Sequence, residues 1–179
     1  MTGFDIPTLH SDRLILRAPR LGDEAAIARF GASGRTTYTG GAFPEADAWK
    51  ILLRISGHWH IRGYGMWMIT RRGDDDTALG WCGGIYHTDW PEPELGWSLF
   101  DDATEGHGIA HEAALCARVA LAQTYGLIAP ISIMDPDNHR SVALAKRMGA
   151  AKAYEVSLRG HLCHIYRHPD VRADAGQTP

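Results

Sequence analysis

Apolar positions recur along the chain in two rhythms. Short apolar or alternating runs read as strands over Leu14–Arg17, Met66–Thr70, Ala78–Tyr86, Glu94–Phe100 and Leu127–Met134, with a last pair over Lys152–Leu158 and His161–Tyr166 turned at Arg159-Gly160. Longer runs with apolar returns at three and four residues predict helices over Leu21–Phe30, Glu45–His60, Gly106–Tyr125 and Ser141–Met148. In the third of these, Ile109, Ala113, Cys116 and Ala120 share one face. Pro19 ends the first strand, Gly31–Gly41 reads as a loop, and Asn138 or Asp137 caps the fourth helix, which Gly149 stops. Pro130 points to an edge or a bulge in its strand, and Gly80, Gly83 and Gly84 to a bend. The order β-α-α-β-β-β-α-β-α-β-β predicts one α/β domain. Its mixed central sheet has about six to seven strands with helices on both faces. The domain is expected over residues 8–168, with flexible termini at 1–7 and 169–179.

Composition narrows the classes. With 179 residues the chain can bury a substantial core, and 45% hydrophobic with 22% charged residues is globular usage. A net charge of −3 argues against nucleic acid or a membrane surface as partner. No apolar run spans a bilayer and the N-terminus lacks a signal pattern, so a cytoplasmic location is expected. Cys82, Cys116 and Cys163 form no disulfide framework, and no histidine pair has metal-ligand spacing, so no metal is expected.

The stretch Glu105-Gly106-His107-Gly108-Ile109-Ala110 opens the third helix. Glycines there let a ligand approach the backbone, and first-turn N–H groups without intrahelical partners favour an anion. Phosphate is therefore the expected ligand. A dinucleotide-binding oxidoreductase would want a third glycine where His111 stands and no Asp101–Glu105 interval.

A second motif follows, Asn138-His139-Arg140-Ser141 running to Lys146-Arg147-Met148-Gly149. The pair of motifs resembles the GNAT superfamily of N-acetyltransferases, closest to the branch of ribosomal-protein N-terminal acetyltransferases. The likeness spans residues 11–167. Two positions depart from the pattern. Glu105 stands where the loop usually opens with Arg, Gln or Trp, and Ala150 stands where an aromatic is usual. Glu105 is expected to point away from a diphosphate, which it would repel.

The resemblance implies transfer of an acetyl group from acetyl-CoA to a primary amine, a protein N-terminus or a small molecule. It implies that the pantetheine arm lies along Trp97, Ser98 and Leu99, where the sheet splays. The diphosphate would rest on the N–H groups of Gly106, His107, Gly108, Ile109 and Ala110, with Glu105 opening the binding loop and Asn138, Arg140 and Ser141 completing the coenzyme contacts. Glu94 is the implied base and Ser141 the implied acid. The alternative roles are a turn glutamate and a helix-cap neighbour. The amine must be uncharged: at neutral pH that costs about 1.4 kcal/mol for an α-amine and about 4.6 for a lysine. A non-catalytic acyl-CoA sensor on the same fold is the alternative function. Association into a homodimer is left open by the sequence.

Overall fold

The computed structural model describes residues 5–171. Eight strands form one sheet: β1 (Leu9–His10), β2 (Leu14–Arg17), β3 (Met66–Arg71), β4 (Gly80–Ile85), β5 (Glu94–Leu99), β6 (Ile131–Met134), β7 (Ala151–Leu158) and β8 (His161–Arg167). Their order is β1-β2-β3-β4-β5-β6-β8-β7. All neighbours are antiparallel except β5 and β6, which run parallel and pair only at Glu94 and Ile131. The helices are α1 (Glu24–Ala32), α2 (Glu45–Arg62), α3 (Ile109–Tyr125) and α4 (His139–Arg147).

Both faces of the sheet are covered, which is why the central strands read as continuous apolar runs. Along β3, Met66 and Met68 face α1 and α2 together with Trp81 and Phe100. Trp67 and Ile69 face α3 with Leu14, Leu16, Cys82, Leu95 and Leu99, and Leu144 and Met148 bring in the α4 end of the chain.

The structure departs from the sequence expectations in several places. The sheet has one strand more than the upper count, because Leu9–His10 pairs with Leu16 and Ile15 through a rung too short for any periodicity to reveal. Pro130 lies just before β6 rather than in an edge strand or bulge, and β6 sits inside the sheet between β5 and β8. The α3 helix begins at Ile109, not Gly106, because Gly106 and Gly108 both adopt left-handed backbone, at φ 80° and 76°. Within the expected loop after α1, a 3-10 turn at Gly34–Thr36 is capped by Ser33, whose hydroxyl accepts from the Arg35 N–H at 3.3 Å.

At the expected flexible ends, Ile6 packs against the core and the Pro7 carbonyl accepts from the Trp67 indole at 2.8 Å. The Val171 N–H reaches the Ile128 carbonyl at 3.4 Å. The remainder of those ends, residues 1–4 and 172–179, lies outside the described residues.

Candidate active site

The site forms where β5 and β6 part. Strand alternation settles which backbone groups face the gap. The Phe100 N–H donates to Leu79 of the β4 side, so Leu95, Trp97 and Leu99 turn their main-chain groups toward β6. The Ile131 N–H donates to the Pro93 carbonyl at 3.2 Å, and there the ladder stops. In a regular parallel ladder the next rung would join the Ile133 N–H to the Leu95 carbonyl. Here Ile133 donates instead to the Glu94 carboxyl at 3.3 Å, and the Ser132 hydroxyl donates to Leu95 at 2.6 Å. Two side chains thus replace one backbone rung, which wedges the strands apart without leaving buried polar groups unmet. His168 backs the wedge, its Nε2 at 2.9 Å from Ser132 Oγ. With the hydroxyl proton committed to Leu95, Nε2 carries the imidazole proton. Burial and then the Arg118 charge lower the His168 pKa to about 4.

Past the wedge lies a cavity of about 400 Å³. It is bounded by the C-terminal half of β5, the glycine loop and the start of α4. Trp97, Ser98, Leu99, Glu105, Gly106, Gly108, Ile109, Ala110, Asn138, Arg140 and Ser141 all line it. His107 does not: its side chain is exposed and its carbonyl accepts from Arg13 at 3.0 Å. His111 lines the cavity, a position that the sequence reading used only as a failed glycine. A Cβ on Gly106 would meet nothing within 4 Å, so the backbone there is bare toward space. The N–H groups of Ile109, Ala110 and His111, in the first turn of α3, have no intrahelical acceptor. The loop is pinned from behind by Arg13, which donates to Glu112 through Nε at 2.7 Å and through its own N–H at 2.8 Å.

Glu105 does not point away from the cavity. It lines it, and its charge is neutralised. Arg35 Nη1 donates to Glu105 Oε2 at 2.7 Å, and Arg140 Nη1 lies 2.8 Å from both oxygens. Burial alone would raise the Glu105 pKa, but the two guanidiniums outweigh it and hold the carboxyl below its usual range. Arg35 also bonds Asp102 and donates through Nε to the Leu99 carbonyl at 2.9 Å. It thereby ties the α1–α2 connection to the end of β5. No local pattern marked Arg35 or Ser132, since each acts through partners far away in sequence.

In the first turn of α4 the Asn138 side-chain oxygen accepts from the Ser141 N–H at 3.2 Å, which is the expected cap. The Ser141 hydroxyl has no hydrogen-bond partner among the described residues.

Glu94 lies outside the cavity lining, on the sheet face covered by α1 and α2. A Cβ on Gly96, two residues along the same face, would meet Met66 Cε and Glu94 Oε1. Glu94 is 9% exposed, and burial pushes its pKa up to about 8, with the Ile133 hydrogen bond pulling weakly the other way. Glu92 is a different kind of carboxylate: hydrogen bonds from Arg167 at 2.5 Å and Tyr154 at 3.2 Å hold its pKa low. Among the described residues, no group of three or more His, Cys, Asp or Glu could hold a metal, and no helix is long and apolar enough to cross a membrane.

Comparison with known proteins gives the family and the fold. The family model described as the acetyltransferase (GNAT) domain matches residues 13–151. The crystal structure of an acetyltransferase from Agrobacterium tumefaciens is 32% identical, with a TM-score of 0.80 over 94% of this chain and 97% of that one. An acetyltransferase from Salmonella typhimurium, described as modifying the N-terminal serine of ribosomal protein L7/L12, superposes at 0.76 with 17% identity, over 91% and 99% of the two chains. A RimL ribosomal L7/L12 α-N-protein acetyltransferase in complex with coenzyme A superposes at 0.75, also at 17% identity, over 92% and 98%.

Proposed function

The chain belongs to the GNAT acetyltransferase family, and on that premise we propose that it acetylates a primary amine by direct attack of the amine on the thioester of acetyl-CoA. It is an acetyl-CoA-dependent acetyltransferase. The finer reading concerns the acceptor and the residues, within a catalytic domain that we take as residues 8–168.

The cavity suits the coenzyme. Bare backbone at Gly106 and the first turn of α3 offer N–H groups to a diphosphate. The inner edge of β5, which has no strand partner at Trp97 and at the Leu99 N–H, offers strand-like partners to the amides of a pantetheine arm. When bound, acetyl-CoA supplies an acyl group activated as a thioester. The remaining chemistry falls to the protein. Trp97, Ser98 and Leu99 align the arm, and Arg140 together with the glycine loop holds its charged end. Asn138 keeps its amide N–H groups for the ligand, since only its oxygen is used in capping. Ser141, with its hydroxyl uncommitted, gives a proton to the departing thiolate.

The observation that carries the reading is the state of Glu94. A carboxylate in water is too weak a base for an amine, whereas one with a pKa of about 8 is half ionised at pH 8 and matches an α-amine near 8. It falls well short of a lysine amine near 10.4. The match supports an α-amine acceptor, with Glu94 taking the proton directly or through one water. The RimL relatives are named as acting on such an amine, but at their identity the likeness is one of fold.

The test is turnover of labelled acetyl-CoA against α-amines and ε-amines of matched peptides. Faster acetylation of α-amines, with activity rising toward pH 8, is expected. Tight coenzyme binding without turnover on any amine would favour the sensor instead.

A further inference from the structure

An acceptor that delivers its amine to Glu94 leaves the rest of itself outside, where the loop between β4 and β5 enters β5. The β7–β8 turn joins that loop through Arg159 and Asp89, and Arg54 of α2 lies near enough for its charge to act on His87 and for the Arg159 charge to act on it. Arg54 stands on the helix that packs against the Glu94 face of the sheet.

Among the described residues, two cations around this mouth are paired and Arg54 is not. Arg159 donates to Asp89 through Nε at 2.7 Å and Nη2 at 3.1 Å. Lys50 donates to Asp47 at 2.6 Å. Arg54 has no hydrogen bond or ion pair among the described residues. The protein around it and then the repulsive Arg159 charge lower its pKa. His87 cannot answer it: burial, then Arg54 and Arg159, hold that imidazole neutral at physiological pH, edge-on to Trp90 at 4.5 Å.

Arg54, an exposed side chain, also borders a second cavity, of about 360 Å³, with Trp81 and with Asp47, whose carboxylate Lys50 already holds. Phe30 and Thr39 line both this cavity and the coenzyme cavity, so the two adjoin. A guanidinium left without an anion at the rim of a hollow is ready for one, and its planar fork fits a carboxylate through two parallel hydrogen bonds.

We propose that Arg54 forms a carboxylate subsite, so that the preferred acceptor is an amine that carries an acid group. This rests on the acetyl-transfer reading of the same cleft. The acid is either the carboxylate of a free amino acid or an acidic side chain early in a peptide.

The experiment has two readouts. In the first, coenzyme-A-loaded protein is titrated by calorimetry with peptides that differ only in Glu, Gln or Lys at the second residue, and with a free amino acid and its amide. The Glu peptide or the free acid binds at least about tenfold tighter than its amide counterpart, and the arm that shows the difference identifies the source of the carboxylate. Arg54→Gln removes the difference, and Arg54→Glu reverses it toward the Lys peptide. In the second readout, kcat/KM on the same panel follows the binding order, with the effect in KM. Equal affinity for acid and amide ligands, or a preference that survives Arg54→Gln, overturns the subsite. Absence of turnover with the binding preference intact would overturn only the transfer reading. Acetyl-CoA affinity measured on each variant reports that the fold is intact.

Discussion

Glu105 and Arg140 meet at the rim of the coenzyme cavity, with one guanidinium nitrogen 2.8 Å from both carboxylate oxygens. Arg35 holds the same carboxylate from the opposite side at 2.7 Å. The acid therefore occupies two cations that stand beside the glycine loop, where the diphosphate is proposed to rest.

Replacing that acid should release both cations. Glu105→Gln is expected to tighten acetyl-CoA binding by about threefold to tenfold at low salt, and the gain should shrink at 0.5 M salt as the charges are screened. Arg140→Ala is expected to weaken binding. Calorimetry at two ionic strengths checks both. Weaker binding in Glu105→Gln would show instead that the carboxylate positions the loop.

Glu94→Gln keeps an oxygen able to accept from Ile133 and removes the proposed base. Turnover should fall by about a hundredfold or more with acetyl-CoA affinity little changed. The same residue makes a stability prediction. Its folded pKa of about 8 lies above the unfolded value near 4.5. Between those two values the native state binds more protons, so this residue's contribution to stability falls as pH rises from about 4.5 to 8. Denaturant melts across that window should show a shallower decline in Glu94→Gln than in the parent.

His168 acts in the opposite sense. Its folded pKa of about 4 lies below the ordinary imidazole value of 6.5. Between those values the unfolded state binds more protons, so its contribution is full above pH 6.5 and is lost as pH falls toward 4. His168→Gln, which retains a donor for Ser132, should reduce the loss of stability on acidification. Melting temperatures at pH 4.5 and 7 provide the measurement.

Ser132→Ala leaves the Leu95 carbonyl buried without its donor. A cost of about 1–3 kcal/mol is expected. Activity should fall with it if the strands drift toward regular pairing, and a structure of the variant would show whether Ile133 now reaches Leu95.

Gly108→Asp combines a left-handed backbone position at φ 76° with a negative charge at the anion loop. Acetyl-CoA binding should be lost on calorimetry. Stability should drop by only about 1–2 kcal/mol, since the residue sits at a helix entry rather than in the core. Retained affinity would remove the glycine loop from the coenzyme site.

Most strands and all four helices were legible from local rhythm. Strand faces alternate at two residues and helix faces at three and four, so a buried face writes itself into consecutive sequence. The glycine loop and the Asn138 cap were legible for a similar reason, because a left-handed turn and a helix start each require particular residue types within a few positions. Two-residue β1 was not, because so short a rung carries no period. The register of α3 was read three residues early, because glycine signals the turn and the helix entry alike.

The sequence alone determined the fold class, the order of the helices and of every strand but β1, and the glycine turn that leads into α3, all of them consequences of neighbours along the chain. Tertiary structure decided the chemistry of that frame. The Glu94 carboxyl has a pKa of about 8 only because burial raises it further than the Ile133 N–H, 39 residues away, pulls it down. Glu105 can face the coenzyme cavity only because Arg35, 70 residues away, and Arg140 neutralise it. A charge takes its free energy from whatever stands around it in space, and no spacing along the chain encodes that.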